Sequence, residues 1–557
     1  MEVRKTEQIL LISFCTLIVI PLLYIGRSAD DNTLTSWKWV FPATGVLQAF
    51  FILVPALLCA YALSGPRFAK PCAYAFLPAL SFLFVLPLWQ APEAVIDASR
   101  YFVQAKYLSE FGAGYFLREW GRVIPAWTDL PLIPFLYGLI FRWLGEARIY
   151  IQIFNTLLFA LTCVLTFAVG KKLWDEETGL NAGLLLMGIP FLLTQVPLML
   201  VDVPTMFFLT LAVYAFLNAV ETGGIPSAAV ASVSLLAALL SKYSAWLMLC
   251  IIPVIPFVFT AGDRKKILGR LAMVLLMTGL LAGAVVSDRF DFFREQITLL
   301  RTYQWPGLSR WQEGYVSTFL FQSHPFLALL ALLGLYTAVR TKDRRFFIAG
   351  WFAVFVFLLQ IKRIRYILPL FPLFALMAAY GLNAFRDQGV RRFISLCVVA
   401  SSAVIACSAY LPFLNSTSMA NLQQAGQYLD TMDCGSVEVY ALPQKASSGS
   451  TFAAIPILDY HTGKKLVSPQ QWPMHSENGD IGQSSLRFTW ETGRPRLYAQ
   501  TEDETGCALA IISSEVVERM PDAVAAGNPS SFKELRRFDR ASGVFMYQTF
   551  VTLFRKQ

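Results

Sequence analysis

The chain has 557 residues, of which 56% are hydrophobic and only 15% charged, and its mean hydropathy is +0.53. That is too little polar surface to cover a soluble globule, in which about a quarter of residues are charged, so the composition describes a polytopic membrane protein. The net charge of +9 does not argue for nucleic acid, because Lys and Arg fall in short clusters between apolar runs, where they set topology and meet anionic headgroups.

A helix needs about twenty apolar residues to cross the hydrocarbon core, which predicts about thirteen transmembrane helices. They lie near 8–26, 44–64, 72–90, 148–170, 178–199, 203–221, 226–241, 244–261, 267–287, 323–340, 346–361, 366–385 and 393–412. The first follows MEVRKTEQ and is read as an uncleaved span, since GRSADD after it offers no small-x-small cleavage site. The run from Leu130 to Leu144 is the hard case, opened by Pro131 and Pro134 and interrupted by Arg142. If it lies along the surface without crossing, Arg4-Lys5, Arg67 with Lys70, Lys171-Lys172, Arg264-Lys265-Lys266, Arg344-Arg345 and Arg391-Arg392 all fall on the cytoplasmic side. Asp97, Asp202, residues 288–322, the cluster Lys362-Arg363-Arg365 and everything after Leu411 then face outward. The outward basic residues break the positive-inside pattern and call for an anionic ligand or lipid.

The expected organisation is a two-helix membrane extension over 1–71, a transmembrane domain over 72–412 with its first outer loop at 91–147, and a soluble α/β domain over 413–557 on the periplasmic or extracellular side. In this last part a helical pattern from Met419 to Met432 alternates with strand-like runs at Val437 to Leu442, Ala508 to Ile512 and Val544 to Val551. Of nine cysteines, only Cys434 and Cys507 lie in the polar part. They form a candidate disulfide if that part is exported, whereas the other seven read as small core residues.

In the first outer loop Asp97 precedes a segment in which Tyr101, Ala105 and Leu108 recur at helical spacing. A helix at the interface would hold this carboxylate near headgroup depth, where it could take a proton from an incoming hydroxyl or amine. The alternative is a helix N-cap or first-turn acid that only stabilises the dipole of that helix. Asp202, two residues before Pro204, could bind a metal, orient a phosphate-binding group or cap the helix that Pro204 opens. Lys362, Arg363 and Arg365 could capture a phosphate and stabilise it as a leaving group, or snorkel to lipid phosphates. Lys242, in LLSKYSAW, is a further cation at a predicted outer edge. There is no P-loop and no Gly-x-Ser-x-Gly elbow, and His324, His461 and His475 are too far apart for a zinc pair.

Four stretches between Ala91 and Phe385 carry a family resemblance: Asp97-Ala98-Ser99-Arg100-Tyr101 with the later Trp120 and Pro125; Asp129-Leu130-Pro131-Leu132 opening a run that ends WLG; GKKLWDEETGLNAGLLL through LVDVPTMFFLTLAVYAF; and RIRYILPLFPLFAL. In this order and spacing they resemble the GT-C membrane glycosyltransferases, in particular the bacterial branch of the lipid A aminoarabinose transferase and relatives of the protein O-mannosyltransferases. The resemblance implies a catalytic carboxylate at Asp97, supported by Arg100 and Tyr101, and a second acid at Asp202 that orients donor or metal. Lys242, Lys362, Arg363 and Arg365 would hold the donor phosphate. It implies a polyprenyl-phosphate-linked sugar as donor and a glycan, lipid or protein as acceptor, joined with inversion, a divalent cation being left open. The sequence departs from the family pattern at Ala98, where many relatives carry a second acid. The rival reading is a transporter or flippase of lipid-linked or small polar cargo. Transporters place ionisable residues near the bilayer midplane, whereas these gather near outer span ends. A structural or assembly subunit would leave Asp97 dispensable.

Overall fold

A computed structural model of the chain describes residues 2–32, 37–41, 44–65, 73–258, 264–304, 313–358, 360–442, 449–472, 493–499, 506–521, 524, 532–541, 544–545 and 547–556. Arg67, Lys70, Cys72 and His475 lie outside them. Among the described residues, eight helices are long and apolar enough to cross a membrane: Lys5–Ala29, Val46–Leu63, Ala73–Gln90, Arg148–Leu173, Asp202–Thr222, Arg264–Asp288, Ile364–Ala384 and Gln388–Ser416. The segment Ile364–Ala384 is 89% buried along its apolar window and forms the centre of the bundle, whereas Arg264–Asp288 is 11% buried and presents Leu276 and Leu280 outward.

The remaining expected spans are shorter or broken. The run at 178–199 is two helices, Glu176–Leu186 and Pro190–Gln195, parted at Gly188 and restarted by Pro190, because a proline without an N–H is at home only in a first turn. Ile225–Leu239 has 15 residues, and the run from 244 divides into Tyr243–Met248, Leu249–Val254 and Ile255–Val258 around Pro253 and Pro256. Among the described residues, therefore, eight of the expected thirteen spans are full-length helices.

Residues 91–147 carry three helices, of which the short Ala113–Glu119 joins two longer ones held face to face. The loop helix Val95–Phe111 stops at Gly112, whose φ of 87° is open to glycine. Against it lies the surface helix Leu132–Leu144, whose 13 residues reach only about 20 Å at 1.5 Å each, short of the ~30 Å core. Their close approach depends on Gly138, where a Cβ would stand 2.6 Å from that of Leu108 and 2.8 Å from the Ala105 carbonyl oxygen.

Residues 436–556 carry a five-stranded sheet of order β2-β1-β3-β5-β4, with β1 Ser436–Ala441, β2 Lys465–Val467, β3 Ala508–Ser513, β4 Phe532–Phe538 and β5 Phe550–Lys556. β1 runs parallel to β2 and β3, and β5 runs antiparallel to β3 and β4. The last strand starts at Phe550, later than the expected run from Val544, and the helix expected from Met419 ends at Asp430. Cys434 and Cys507 are disulfide-bonded, with Cα atoms 6.1 Å apart.

One hydrophobic core contains Phe102 and Tyr137 from the loop helices together with Leu422, Val439, Leu458 and Leu553 from the C-terminal region. Lys106 reinforces the junction, its ammonium 2.6 Å from Asp459 and 2.9 Å from Glu146. The loop helices of residues 91–147 and the sheet region thus pack as a single layer on the helical bundle.

Candidate active site

The loop helix is pinned at its start by Glu93. This buried carboxylate accepts from Arg148 Nε at 2.8 Å and from the Met199 backbone N–H at 3.0 Å. A second clamp holds the segment before Asp202, where the Tyr137 hydroxyl lies 2.8 Å from the Leu200 carbonyl and Asn155 Nδ2 donates to the Leu198 carbonyl at 2.7 Å. These fully paired buried groups fix where Asp97 and Asp202 emerge.

Between those anchors runs a continuous chain of charges. Asp129 Oδ1 is 3.3 Å from Arg100, whose guanidinium reaches Asp97 at 3.1 Å. The other oxygen of Asp97 accepts from Arg365 Nη1. Arg365 also binds Asp202 at 3.1 Å through Nε, and Lys242 closes the chain on the second Asp202 oxygen at 2.5 Å. Three carboxylates and three cations from widely separated segments therefore balance each other. Asp97 is the accessible acid, 25% exposed where Asp129 is 6% and Asp202 0%. Its oxygens are spent on two guanidinium groups, and it lies inside the first turn of the helix, whose N-cap is Ala94.

The electrostatics separate the two loop acids. Burial alone would raise Asp97, but the guanidiniums of Arg365 and Arg100 outweigh it and hold the carboxyl well below its usual range. Asp129 is pushed up to about 6 by burial, with the negative charge of Asp97 adding to the effect and Arg100 opposing it. Gln104 steadies Asp129 from 3.2 Å.

Beside the chain stands an aromatic and cationic edge. The Tyr366 ring has the Arg363 guanidinium 5.1 Å and the Lys242 ammonium 5.6 Å from its centroid. Arg363 is 3.6 Å from Glu313, which also accepts from the Ile364 N–H at 3.3 Å and is raised to about 7 by burial despite Arg363. Tyr101 is buried beneath Arg100, 5.6 Å from its guanidinium.

Asp97, Arg100, Tyr101, Asp202, Lys242, Arg363 and Arg365, all singled out in the sequence, thus come together. Lys362 does not join them, its exposed side chain lying over Tyr315 at 5.2 Å. Sequence reasoning missed Asp129 as a member of the site, reading it only as the opening of the surface helix, and missed Glu93 and Glu313. The spacing of Arg100 and Gln104, one helical turn apart, was the available sign that one face of the loop helix receives an acid. A divalent cation has no ready ligand set here, because Asp202 places one oxygen on Lys242 and the other on Arg365 while Asp97 is divided between Arg100 and Arg365. Among the described residues no group of three or more His, Cys, Asp or Glu is placed to hold a metal.

Residues 128–287 match the sequence model of the family described as dolichyl-phosphate-mannose-protein mannosyltransferase, a stretch that includes Asp129, Asp202 and Lys242. No curated protein sequence matches the chain. Among solved structures, ArnT from Cupriavidus metallidurans bound to undecaprenyl phosphate superposes with a TM-score of 0.53 at 12% identity, covering 87% of this chain and 98% of that one. Its apo form gives 0.52 at 12% identity, over 86% and 97%. An Archaeoglobus fulgidus oligosaccharyltransferase, AglB, in complex with an inhibitory peptide and a dolichol-phosphate reaches 0.46 at 12% identity, over 80% and 70%. Over most of its length the chain has the fold of ArnT, and residues 128–287 are similar to the mannosyltransferase family model.

Proposed function

We propose that the protein transfers a sugar from a polyprenyl-phosphate-linked donor to a hydroxyl or amine acceptor at the outer face of the membrane, with inversion at the sugar carbon. The observation that carries this reading is the single charge chain joining Asp97, Arg365, Asp202 and Lys242. It gathers an accessible carboxylate and two cations at one point, as a displacement with a phosphate leaving group requires. The ArnT structure with undecaprenyl phosphate supports a donor of this class.

In the reaction the donor phosphate is met by Arg365 and Lys242, with Arg363 and Tyr366 alongside. Arg365 exchanges its bond to Asp97 for one to phosphate, which frees the carboxylate. The acceptor atom then bonds to the anomeric carbon and its proton passes to Asp97, while the bond from that carbon to the phosphate oxygen breaks and its electron pair leaves as polyprenyl phosphate. Asp202, fully buried, keeps Arg365 and Lys242 in place. The outward placement of residues 413–557 is part of this proposal, supported by the shortness of helix Leu132–Leu144 and by the positive clusters at the opposite span ends.

The test is a panel of radiolabelled polyprenyl-phosphate sugars offered to the purified protein in nanodiscs. Acceptor-dependent release of polyprenyl phosphate is expected for at least one donor. Movement of an intact lipid-linked sugar across proteoliposomes without cleavage would replace the reading with a transporter.

A further inference from the structure

Residues 361–363, which include Arg363 and lead into the short helix Ile364–Ile367, have no regular secondary structure of their own. Backbone groups in such a stretch need partners from elsewhere in the fold. Two of them come from one segment. The Glu313 carboxylate accepts from the Ile364 N–H at 3.3 Å, and the Thr318 hydroxyl donates to the Lys362 carbonyl at 2.5 Å. Glu313 and Thr318 are both buried, so water does not compete for these bonds and they hold the backbone closely. They flank the turn from which Arg363 and Arg365 project, and Arg365 is the residue that joins Asp97 to Asp202.

Segment 313–318 is held in turn by the connection between the first two long helices, Lys5–Ala29 and Val46–Leu63. Asp31 Oδ1 accepts from the Ser317 N–H at 3.2 Å. Gly314 makes room for that carboxylate, since a Cβ there would stand 1.5 Å from Asp31 Oδ2. The connection is itself tied down. Asp30 accepts from the N–H groups of Asn32 at 3.0 Å and Trp37 at 2.7 Å. The Trp37 side chain is fully buried, its ring centroid 5.3 Å from that of Tyr410 and 6.4 Å from that of Phe321. A line of hydrogen bonds and short chain segments thus runs from Trp37 through Asp30, Asp31, Ser317 and Glu313 to Ile364, one residue from Arg365. Asp31 is exposed and lies outside the charge chain.

We propose that Asp31, Glu313 and Thr318 are positioning residues for donor binding: segment 313–318, braced by the connection between the first two long helices, sets the place from which Arg363 and Arg365 meet the donor phosphate. The proposal rests on the reading of those arginines as the phosphate site.

The experiment measures equilibrium binding of labelled undecaprenyl phosphate to the full-length protein in nanodiscs, together with the donor KM and kcat of sugar transfer. Thr318→Val keeps the shape of the side chain but takes the donor from the Lys362 carbonyl, so it should weaken lipid-phosphate binding and raise the donor KM about fivefold or more. Thr318→Ser keeps the hydroxyl and should restore both to within about twofold. Asp31→Ala should weaken binding about threefold or more, whereas Asp31→Asn, which still accepts from Ser317, should not. Glu313→Gln, which keeps an oxygen for the Ile364 N–H, should bind the lipid phosphate more tightly than Glu313→Ala. A merely structural role would lower the unfolding temperature and the active fraction, hence the apparent kcat, and leave affinity and KM of the folded protein where they are. Unaltered affinity and KM in both Thr318→Val and Asp31→Ala would overturn the proposal, as would an equal loss in Asp31→Asn and Asp31→Ala. The expected affinity changes without sugar transfer from any donor would sink the transfer reading and leave the positioning role standing. Transfer with undiminished affinity in both variants would do the reverse, and a wild-type protein that does not bind undecaprenyl phosphate would overturn both.

Discussion

Asp97→Asn should separate donor binding from turnover in opposite directions. In the resting site Arg365 is shared by Asp97 and Asp202, so a donor phosphate has to displace a carboxylate before it can use the guanidinium. A charge-assisted hydrogen bond contributes about 1.5–3 kcal/mol. Asp97 is 25% exposed and Arg365 keeps its second partner, which places the cost of release nearer ~1–2 kcal/mol. Removing that competitor also changes the balanced chain of three acids and three cations to an excess of one positive charge. The donor should therefore bind about 5- to 30-fold tighter, while loss of the proton acceptor lowers turnover by about two to four orders of magnitude. Arg365→Ala should weaken donor binding and turnover together, since the phosphate contact exists before the transition state and strengthens in it. Donor affinity is read by equilibrium binding of labelled polyprenyl-phosphate sugar in nanodiscs and turnover by released polyprenyl phosphate. Near-normal transfer by Asp97→Asn would reduce Asp97 to a helix-dipole acid, and weaker donor binding in that variant would refute the competition for Arg365.

With Asp129 at about 6 and Asp97 held well below its usual range, activity should fall as pH drops through about 6, because protonating Asp129 leaves Arg100 to bind Asp97 alone; Asp129→Asn should abolish this limb in a pH–rate profile. Stability should move the other way. Burial raises Asp129, Glu313 and Glu146 above their ordinary values, so their contribution is complete at low pH and is lost as pH rises through about 6 to 7, visible as a falling unfolding temperature between pH 5 and 8. Breaking the disulfide with Cys434→Ser should cost the sheet region about 2–4 kcal/mol, measured as a drop in Tm, and an unchanged Tm would mean the bond contributes nothing. A cysteine at exposed Glu518 should react with an impermeant thiol reagent in intact cells above the background of native cysteines; labelling only after lysis would reverse the proposed orientation.

Much of the site was legible because its members break patterns that physics otherwise enforces. Asp97, Asp202, Lys242 and Arg365 are charges at the ends of apolar runs, where each demands a partner or a ligand. Asp129 and Glu93 were not legible, since an acid before Leu-Pro or after Pro looks the same whether it caps a helix or pairs with an arginine far along the chain. The short helix Leu132–Leu144 was recoverable from an apolar run opened by Pro131 and closed by Gly145. The broken spans were not, because Pro190, Pro253 and Pro256 interrupt helices whose apolar content still sums like a span. In the sheet, β1 and β3 are buried apolar runs that read as strands. By contrast, β2 has three residues, and β4, FKELRRF, is an edge strand whose charges hide its alternation.

The single core shared by the loop helices and the C-terminal sheet bears on how the molecule is made. Phe102 and Tyr137 are synthesised early, whereas Leu422, Leu458 and Leu553, which close the same core, emerge late. Until β5 pairs with β3, the helix bearing Asp97 lacks the far wall of its own packing. Contacts separated by several hundred residues form slowly, because the long intervening chain must be ordered first. During that interval the exposed apolar face of the first loop is a surface for misassembly. Asp97 is thus set in place among the last steps of folding, although it lies in the first fifth of the chain, and with Asp97 as the proposed base, nascent protein in the membrane should stay inactive until the end of the chain has docked.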